Sequence, residues 1–307
     1  MIQYLRHTQI DNRRWDECIC KSLNGNVYAW SWYLDIIHPG WEALVEDDYQ
    51  TVMPLTGRTK FGISYLFQPF FAQQLGIFSI KHLNDEDINA FISAIPLKYK
   101  LIEIRLNTLN VTDKDSLELK MHRNIEMPLS DSYDIIAQRY NNNTKRNIAK
   151  AKSSSLTFTD NADPQKVISL FRNNRGKSVK HWGDAEYARL LTLTDTAVAR
   201  QRCLVCGIND ENNELVAGAF FMMSHNRITF LFSGADNSNR HPLSLLLDKM
   251  IMIYSGSQYT FDFEGSDNDG LARFYKGFGG TEHPYPELHI NRLNTIPRIL
   301  LKILKNK

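Results

Sequence analysis

The stretch that decides the fold is residues 258 to 280, QYTFDFEGSDNDGLARFYKGFGG. Its apolar side chains Tyr259, Phe261 and Phe263 occupy every second position, which is the period of a half-buried β-strand. The pattern predicts a strand that ends at Phe263. In an open α/β sheet, ligands bind beyond the carboxyl ends of the strands, so the residues that follow are the first place to expect a site.

A polar loop and a short helix follow this strand. The loop covers residues 264 to 269, and Leu271, Phe274 and Tyr275 then recur at the three- and four-residue spacing of a helix. Three glycines, which tolerate positive φ, end this helix: Gly277, Gly279 and Gly280.

Length and composition predict a globular protein of two domains. A chain of 307 residues exceeds the size at which single cores usually stop growing. Hydrophobic residues make up 43% and charged residues 23%, which excludes fibrous and largely disordered classes. The formal net charge of +2 gives no bulk preference for nucleic acid or anionic membranes. We expect domains at residues 1–128 and 129–307.

Nothing in the sequence predicts a membrane span or a secreted protein. No run of about 18 apolar residues occurs, and the N-terminal segment lacks the apolar centre of a signal peptide, so we expect a cytoplasmic protein. Cys203 and Cys206 have the spacing of a zinc knuckle that Cys18 and Cys20 could complete. Buried free thiols explain the same residues, and we expect no metal.

The two halves repeat one order of elements: helices, three antiparallel strands, a polar loop, a helix and two further strands. The predicted strands of the first half are Trp41 to Val45, Thr51 to Leu55 and Phe61 to Phe67, the last two separated by a TGRTK loop. Those of the second half are Arg202 to Ile208, Glu214 to Met223 and Arg227 to Phe232. Helix Asp85 to Ile95, capped by Asn84, and a final strand near Leu117 to Met127 complete the first half.

This order resembles the GNAT acyltransferase fold, and two copies in tandem resemble the Fem-type (FemAB-like) peptidyl and aminoacyl transferases. Residues 144 to 151, TKRNIAKA, look like the basic helix that opens the second domain in that family. Residues 261 to 266 and 274 to 280 are similar to its closing strand, loop and glycine-containing segment. The resemblance implies a mixed α/β fold with mostly antiparallel sheets, flanking helices and two tandem GNAT-like domains.

Membership would imply transfer of an acyl or aminoacyl group to a small-molecule or peptide amine, with acyl-CoA or aminoacyl-tRNA as donor. Two departures matter. Tyr275 stands where the family has a lysine, and the lysine comes one residue later at Lys276. The loop before Leu243 has Arg240 but lacks the glycines of the GNAT pyrophosphate signature. Without these glycines, we do not expect the loop backbone to come close to the pyrophosphate of a CoA donor.

Amide formation needs a base for the attacking amine and a donor for the developing oxyanion. Asp262 and Glu264, at the predicted end of the strand, are the candidate catalytic residues. The alternative is a turn-forming acidic loop without chemistry.

Substrate binding has four sets of candidates, each of which could also be an ordinary surface or loop feature. Arg273 and Lys276 share a helix face with Tyr275 between them, and Arg240 and His241 precede a helix N-terminus that favours an anion. Lys145 and Arg146 belong to a basic run from Arg139 to Lys152 that could hold transfer RNA. In the first half, Gln68 and Gln73 lie among aromatics in the loop equivalent to the second half's SGADNSNRHP.

The tail from Ile296 to Lys307 has an apolar stripe with basic residues around it. Such a helix could lie on an anionic membrane or pack against either domain.

Three hypotheses follow. The first is direct FemAB-like transfer of an acyl or aminoacyl group to an amine. The second is a CoA-dependent GNAT N-acetyltransferase with a degenerate first domain. The third is a catalytically inactive GNAT-like binding module.

Overall fold

The computed structural model describes residues 1–110, 118–178, 182–236, 240–265 and 267–293. They form two compact units. The first comprises Met1–His122 and the segment that begins at Pro284, and the second comprises Arg123–His283. The predicted tail helix lies outside the described residues.

The first unit contains two sheets. Its elements up to His122 are β1 (Gln3–Leu5), α1 (Asn12–Lys21), α2 (Ser31–Ile37), β2 (Glu42–Glu46), β3 (Thr51–Leu55), β4 (Gly57–Lys60), β5 (Ile63–Phe67), β6 (Phe78–Ser79), α3 (Asp85–Ala94), β7 (Tyr99–Arg105) and β8 (Glu118–His122). One sheet has the order β1-β2-β3-β6. Asn84 caps α3 as predicted, since its side chain accepts the N–H of Asp87 while the Asp87 carboxylate accepts that of Asn84.

The prediction of a loop at TGRTK is wrong, because residues 57 to 60 form strand β4. Lys60 pairs with Ile63 across a turn of only two residues, Phe61 and Gly62. Both have positive φ, 52° and 76°, which is the backbone of a tight type I′ hairpin. The sequence hides this turn because a phenylalanine occupies a position that usually takes Asn, Asp or Gly.

The second unit is built on one seven-stranded sheet. Its elements are β9 (Ile125–Pro128), α4 (Tyr133–Gln138), α5 (Asn142–Lys152), β10 (Thr157–Thr159), α6 (Pro164–Asn173), α7 (Asp184–Ala199), β11 (Cys203–Asn209), β12 (Leu215–Ser224), β13 (Arg227–Ala235), α8 (Pro242–Tyr254), β14 (Thr260–Asp262), α9 (Asp269–Lys276) and β15 (Thr281–Glu282). The strand order is β10-β11-β12-β13-β14-β9-β15.

Helices cover both faces of this sheet. Helix α8 and the phenylalanines Phe221, Phe230 and Phe261 share one core cluster. On the other face α6 lies directly on β12 and β13 at Gly218 and Gly234, where an added Cβ would come within 2.5 Å and 2.2 Å of α6 atoms. The two glycines therefore set the distance between helix and sheet.

The chain passes between the units at a different point from the predicted boundary at residue 128. The expected strand near Leu117 to Met127 is two strands, and β9 belongs to the second unit, where it pairs with β14 and β15. A further strand, β16 (Tyr285–Asn291), lies between β7 and β8 of the first unit, in the sheet order β4-β5-β7-β16-β8. The boundaries of the units depend on which strands pair with each other, and the length and composition of the chain carry no information about strand pairing.

The two sequence runs that carry the family resemblance meet in the second unit. The N–H of Asn141, the N-cap of α5, donates to the carbonyl of Gly277 at 2.9 Å. A Cβ on Gly277 would lie 2.5 Å from Thr144 Oγ1 and 3.1 Å from Asn141 Nδ2. Glycine at 277 is therefore what lets the first turn of α5 approach the end of α9.

We expect Gly277→Ala to lower the free energy of unfolding by about 1–3 kcal/mol, because the new methyl group overlaps Thr144. Urea unfolding of the full chain measures the change. Gly270→Ala, in the first turn of the same helix, is the matched control, since its nearest neighbour is the Asn268 side chain at 3.1 Å. Equal stability of the two variants would contradict the proposed close approach.

Candidate active site

The central feature of the second unit is a pair of parallel strands that separate. β13 pairs with β14 only over Arg227 to Thr229, opposite Thr260 to Asp262. β13 then continues to Ala235, whereas β14 ends at Asp262. The pairing of β12 with β13 is also irregular here, at Phe220/Phe221. A wedge therefore opens beside β13 just beyond Asp262, at the carboxyl end of β14 and along the part of β13 that follows Thr229.

Tyr275 lies at this wedge. Its ring stands edge-on to Phe230 of β13, with centroids 6.1 Å apart, and stacks on Phe263 beyond β14, with centroids 5.3 Å apart. Tyr275 thus contacts both diverging chains.

Asp262 belongs to a buried cluster at the point where the strands part. Arg227 Nη1 donates to Asp262 Oδ2 at 3.3 Å and to Glu126 Oε1 at 2.9 Å. Glu126 faces Asp262 across the β9–β14 pair and also accepts the Asn124 amide at 2.8 Å. One guanidinium therefore holds two carboxylates, each less than a tenth exposed.

The surroundings of Asp262 raise its pKa above the ordinary value of an aspartate. Burial raises the pKa of Asp262 to about 6, Arg227 opposes this shift, and the neighbouring charge of Glu126 adds to it. A carboxyl group with such a pKa can both hold and release a proton near neutral pH.

Glu264 is placed by Asp262. Asp262 Oδ1 accepts the Glu264 N–H at 2.9 Å, and Glu264 has φ 57°. Its carbonyl accepts the N–H of Ile125 at 3.2 Å. A non-glycine residue in this region costs about 1–3 kcal/mol, so the surrounding bonds hold a strained backbone. Glu264 is half-buried and Asp262 is buried, so Glu264 is the more accessible of the two predicted catalytic carboxylates.

His241 and Arg240 lie at the N-terminus of α8. His241 is the N-cap in the left-handed region, with φ 56°, and its side chain does not cap the helix. Burial lowers the pKa of His241, and the positive charges of Lys150 and Arg146 lower it further. Helix α5 thus brings two cations towards this helix N-terminus. Arg240 instead pairs with Glu211 at 3.3 Å and Asp236 at 3.4 Å.

The remaining basic candidates on α5 and α9 make local contacts. Lys145 Nζ donates to the Gln138 carbonyl at 3.0 Å, and Arg146 donates to Asn143 Oδ1 at 2.7 Å. Lys276 pairs with Glu282 at 2.7 Å, while Arg273 Nε donates to the Asp269 carbonyl at 3.3 Å. Their role in binding stays a prediction.

Gln68 and Gln73 support their own loop in the first unit. Gln68 donates to the Ala72 carbonyl at 2.9 Å and accepts the Arg105 N–H at 3.0 Å. Gln73 Oε1 accepts from the Gln74 amide at 2.9 Å. These contacts favour the alternative in which the amides order the loop.

The cysteines are free thiols. Burial raises the pKa of both Cys203 and Cys206 to about 12, which disfavours the thiolate that zinc requires. Across the described ranges, no group of three or more His, Cys, Asp and Glu side chains is arranged to hold a metal.

Sequence reasoning missed Arg227, Glu126 and Asn124. Each is the one charged residue of a mostly apolar strand, Arg227 in RITFLFSGA and Glu126 in IEMP, and that was the available signal. A charge inside a buried strand requires a partner of opposite charge, but the sequence does not identify which residue that partner is.

The comparisons support the fold. A crystal structure of FemX aligns with a TM-score of 0.67 at 13% identity, over 97% of this chain and 99% of that one. L-PGS from Bacillus licheniformis gives 0.55 at 10% identity, over 96% of each chain. A tandem GNAT protein from the clavulanic acid biosynthesis pathway gives 0.55 at 9% identity, over 96% of this chain and all of that one.

Identities this low show a shared fold alone. They confirm the predicted fold class and the resemblance to Fem-like and GNAT proteins at that level. No protein-family model and no curated protein sequence matches this chain. No helix in the described part of the chain is long and apolar enough to cross a membrane.

The raised pKa of Asp262 predicts a pH-dependent stability. Its folded value of about 6 exceeds the ordinary 3.8, so the unfolded chain loses this proton first as pH rises. The contribution of Asp262 should therefore be complete below pH 4 and be lost by pH 6 and above, a change on the order of 3 kcal/mol.

Urea unfolding of the parent and of Asp262→Asn at several pH values checks this. The stability of the variant relative to the parent should rise between pH 4 and 6. Asp195→Asn, on the exposed side of α7, controls for loss of one carboxylate. A difference between parent and Asp262→Asn that does not change over this interval would contradict the assignment.

Proposed function

We propose that this protein transfers an acyl or aminoacyl group to an amine, and that the reaction takes place where β13 and β14 separate. The observation that carries the proposal is the wedge beyond the Arg227–Asp262–Glu126 cluster. It combines a stretch of β13 that β14 does not pair with and the half-buried carboxylate of Glu264, two residues beyond the end of β14. Acyl transfer to an amine requires both kinds of group.

In the proposed reaction the amine nitrogen attacks the carbonyl carbon of an ester or thioester. The nitrogen–carbon bond forms as the nitrogen gives its proton to a carboxylate. The tetrahedral oxyanion then collapses, the bond to the leaving oxygen or sulfur breaks, and the leaving group takes up a proton. Backbone N–H groups of β13 beyond Thr229 are suited to bind the oxyanion, since the described part of β14 ends before them.

Glu264 is the proposed base, and Asp262 is the residue that positions it. Glu264 is half-buried and can reach an acceptor, whereas Asp262 is 5% exposed beneath Arg227. The bond from the Glu264 N–H to Asp262 fixes the backbone from which the Glu264 side chain extends. The buried cluster is thus a support for the reacting group.

The N-terminus of α8 is the proposed site for phosphate groups of the donor. A helix N-terminus favours anions, and Arg146 and Lys150 add positive charge near His241. Coenzyme A thioesters and aminoacyl-tRNA both carry phosphates, so this surface accepts either class. Similarity to FemX and L-PGS favours an aminoacyl donor, and similarity to the tandem GNAT protein favours acyl-CoA.

Binding of the donor is tested by thermal unfolding with acetyl-CoA, bare CoA, a UDP-linked cell-wall precursor and aminoacyl-tRNA. A true ligand at about 100 times its Kd should stabilise the protein by roughly 2.7 kcal/mol. We expect the stabilisation by a phosphate-bearing donor to shrink in Arg146→Gln/Lys150→Gln and to persist in Lys166→Gln, a change of an exposed lysine on α6. No stabilisation by any of the four would favour the inactive binding module.

With an active donor–acceptor pair, Glu264→Gln should lower kcat by about 10²–10⁴ with little change in KM. Steady-state rates of amide formation check this. Asp269→Asn is the control, because that carboxylate is exposed at the end of the same loop and pairs with Arg123. Unchanged kcat in both Glu264→Gln and Asp262→Asn would exclude this loop as the source of the base.

A further inference from the structure

The β4–β5 hairpin presents a phenylalanine to solvent. Phe61 is 87% exposed, the largest exposed fraction of any aromatic residue among those described. Its φ of 52° places it in the left-handed region at the first position of the two-residue turn. Asn, Asp or Gly would suit this turn better. Neither packing nor turn formation therefore accounts for a phenylalanine here.

A second exposed apolar side chain lies at the same edge of the first unit. β5 and β7 are parallel, and Ser64 pairs with Tyr99 at the start of both strands. Leu97 precedes β7 just as Phe61 and Gly62 precede β5, and it is 74% exposed. Two apolar side chains thus project from one end of this sheet.

The surroundings of these side chains are basic. Lys60 Nζ lies 5.5 Å from the centre of the Phe61 ring, and Lys100 is an exposed residue near the start of β7. The hairpin from Gly57 to Phe67 contains two cations and no carboxylate. Lys98 is also here but is paired with Glu42.

The described chain ends at this edge. Arg292 donates its N–H to the Lys100 carbonyl at 2.7 Å, and the described residues stop at Leu293. The sequence of the remaining 14 residues contains four Lys or Arg residues and no Asp or Glu. The positive character of the edge therefore continues in the sequence that leaves it.

We propose that this edge, defined by Lys60, Phe61, Leu97 and Lys100, docks on an anionic membrane surface. Protruding apolar side chains next to cations match the boundary between acyl chains and phosphate headgroups. A protein partner would require a contiguous face of roughly 500 Å² or more on this chain, whereas two separate side chains offer little area. The proposal does not depend on the chemistry at β13 and β14.

Co-sedimentation of the full chain with vesicles tests the docking. We expect binding to vesicles of phosphatidylglycerol mixed with phosphatidylcholine, weaker binding at high salt and little binding to pure phosphatidylcholine. Lys60→Gln and Lys100→Gln should each weaken binding by roughly fivefold. Phe61→Asn should weaken it by roughly tenfold or more.

Phe61→Asn separates docking from folding, because asparagine suits the turn and should leave thermal stability unchanged or raised. Leu23→Asn, a change of a 52% exposed leucine elsewhere in the first unit, is the control and should bind like the parent. Absence of binding to anionic vesicles would overturn the proposal. Equal binding by Phe61→Asn, Leu97→Asn and the parent would also overturn it, since the contact would then lie elsewhere.

Discussion

The second unit depends on the ion cluster of Arg227, Glu126 and Asp262. It joins three neighbouring strands, β13, β14 and β9, at the position where the sheet stops being continuous. Two carboxylates on one guanidinium carry an excess of negative charge in a buried place. A buried ion cluster adds little net stability, but replacing its arginine lowers the free energy of unfolding strongly. The reason is that two buried carboxylates are then left without a compensating charge.

The same cluster also fixes the backbone of Glu264, the proposed base. Asp262 cannot relax towards water, so its carboxylate orients the Glu264 backbone in a conformation that the chain would otherwise avoid. Burial and the charge of Glu126 raise the pKa of Asp262, while Arg227 limits the rise. Strained backbone conformations of this kind cluster at active and ligand-binding sites, so the strained end of β14 beside the wedge supports a binding or catalytic site there.

Much of the fold could be predicted from the sequence because it depends on local patterns. Alternation located β14 and helical spacing located α9. The glycines were expected to end α9 through positive φ, which holds for Gly279 at 88°, whereas Gly277 has φ -58° and is needed for the close approach to α5, which the sequence did not predict. Hairpin β4–β5 escaped because Phe61 does not look like a turn residue. Part of the candidate site could be predicted for the same reason, because Asp262 and Glu264 follow a recognisable strand. Arg227 and Glu126 lie 35 and 136 residues before Asp262 and come next to it only through the order of the strands, so no local pattern identifies them.

The place of β16 in the first unit bears on how the chain is made. Strand β16 lies between β7 and β8, so it supplies the hydrogen-bonding partners of both. When only the first 122 residues have been synthesised, four strands of the five-stranded sheet exist and β16 does not. The edges of β7 and β8 that pair with β16 then have no partner. The second unit, continuous in sequence, has all its strands before β16 appears. The five-stranded sheet of the N-terminal unit can therefore be completed only after the whole of the second unit has been synthesised.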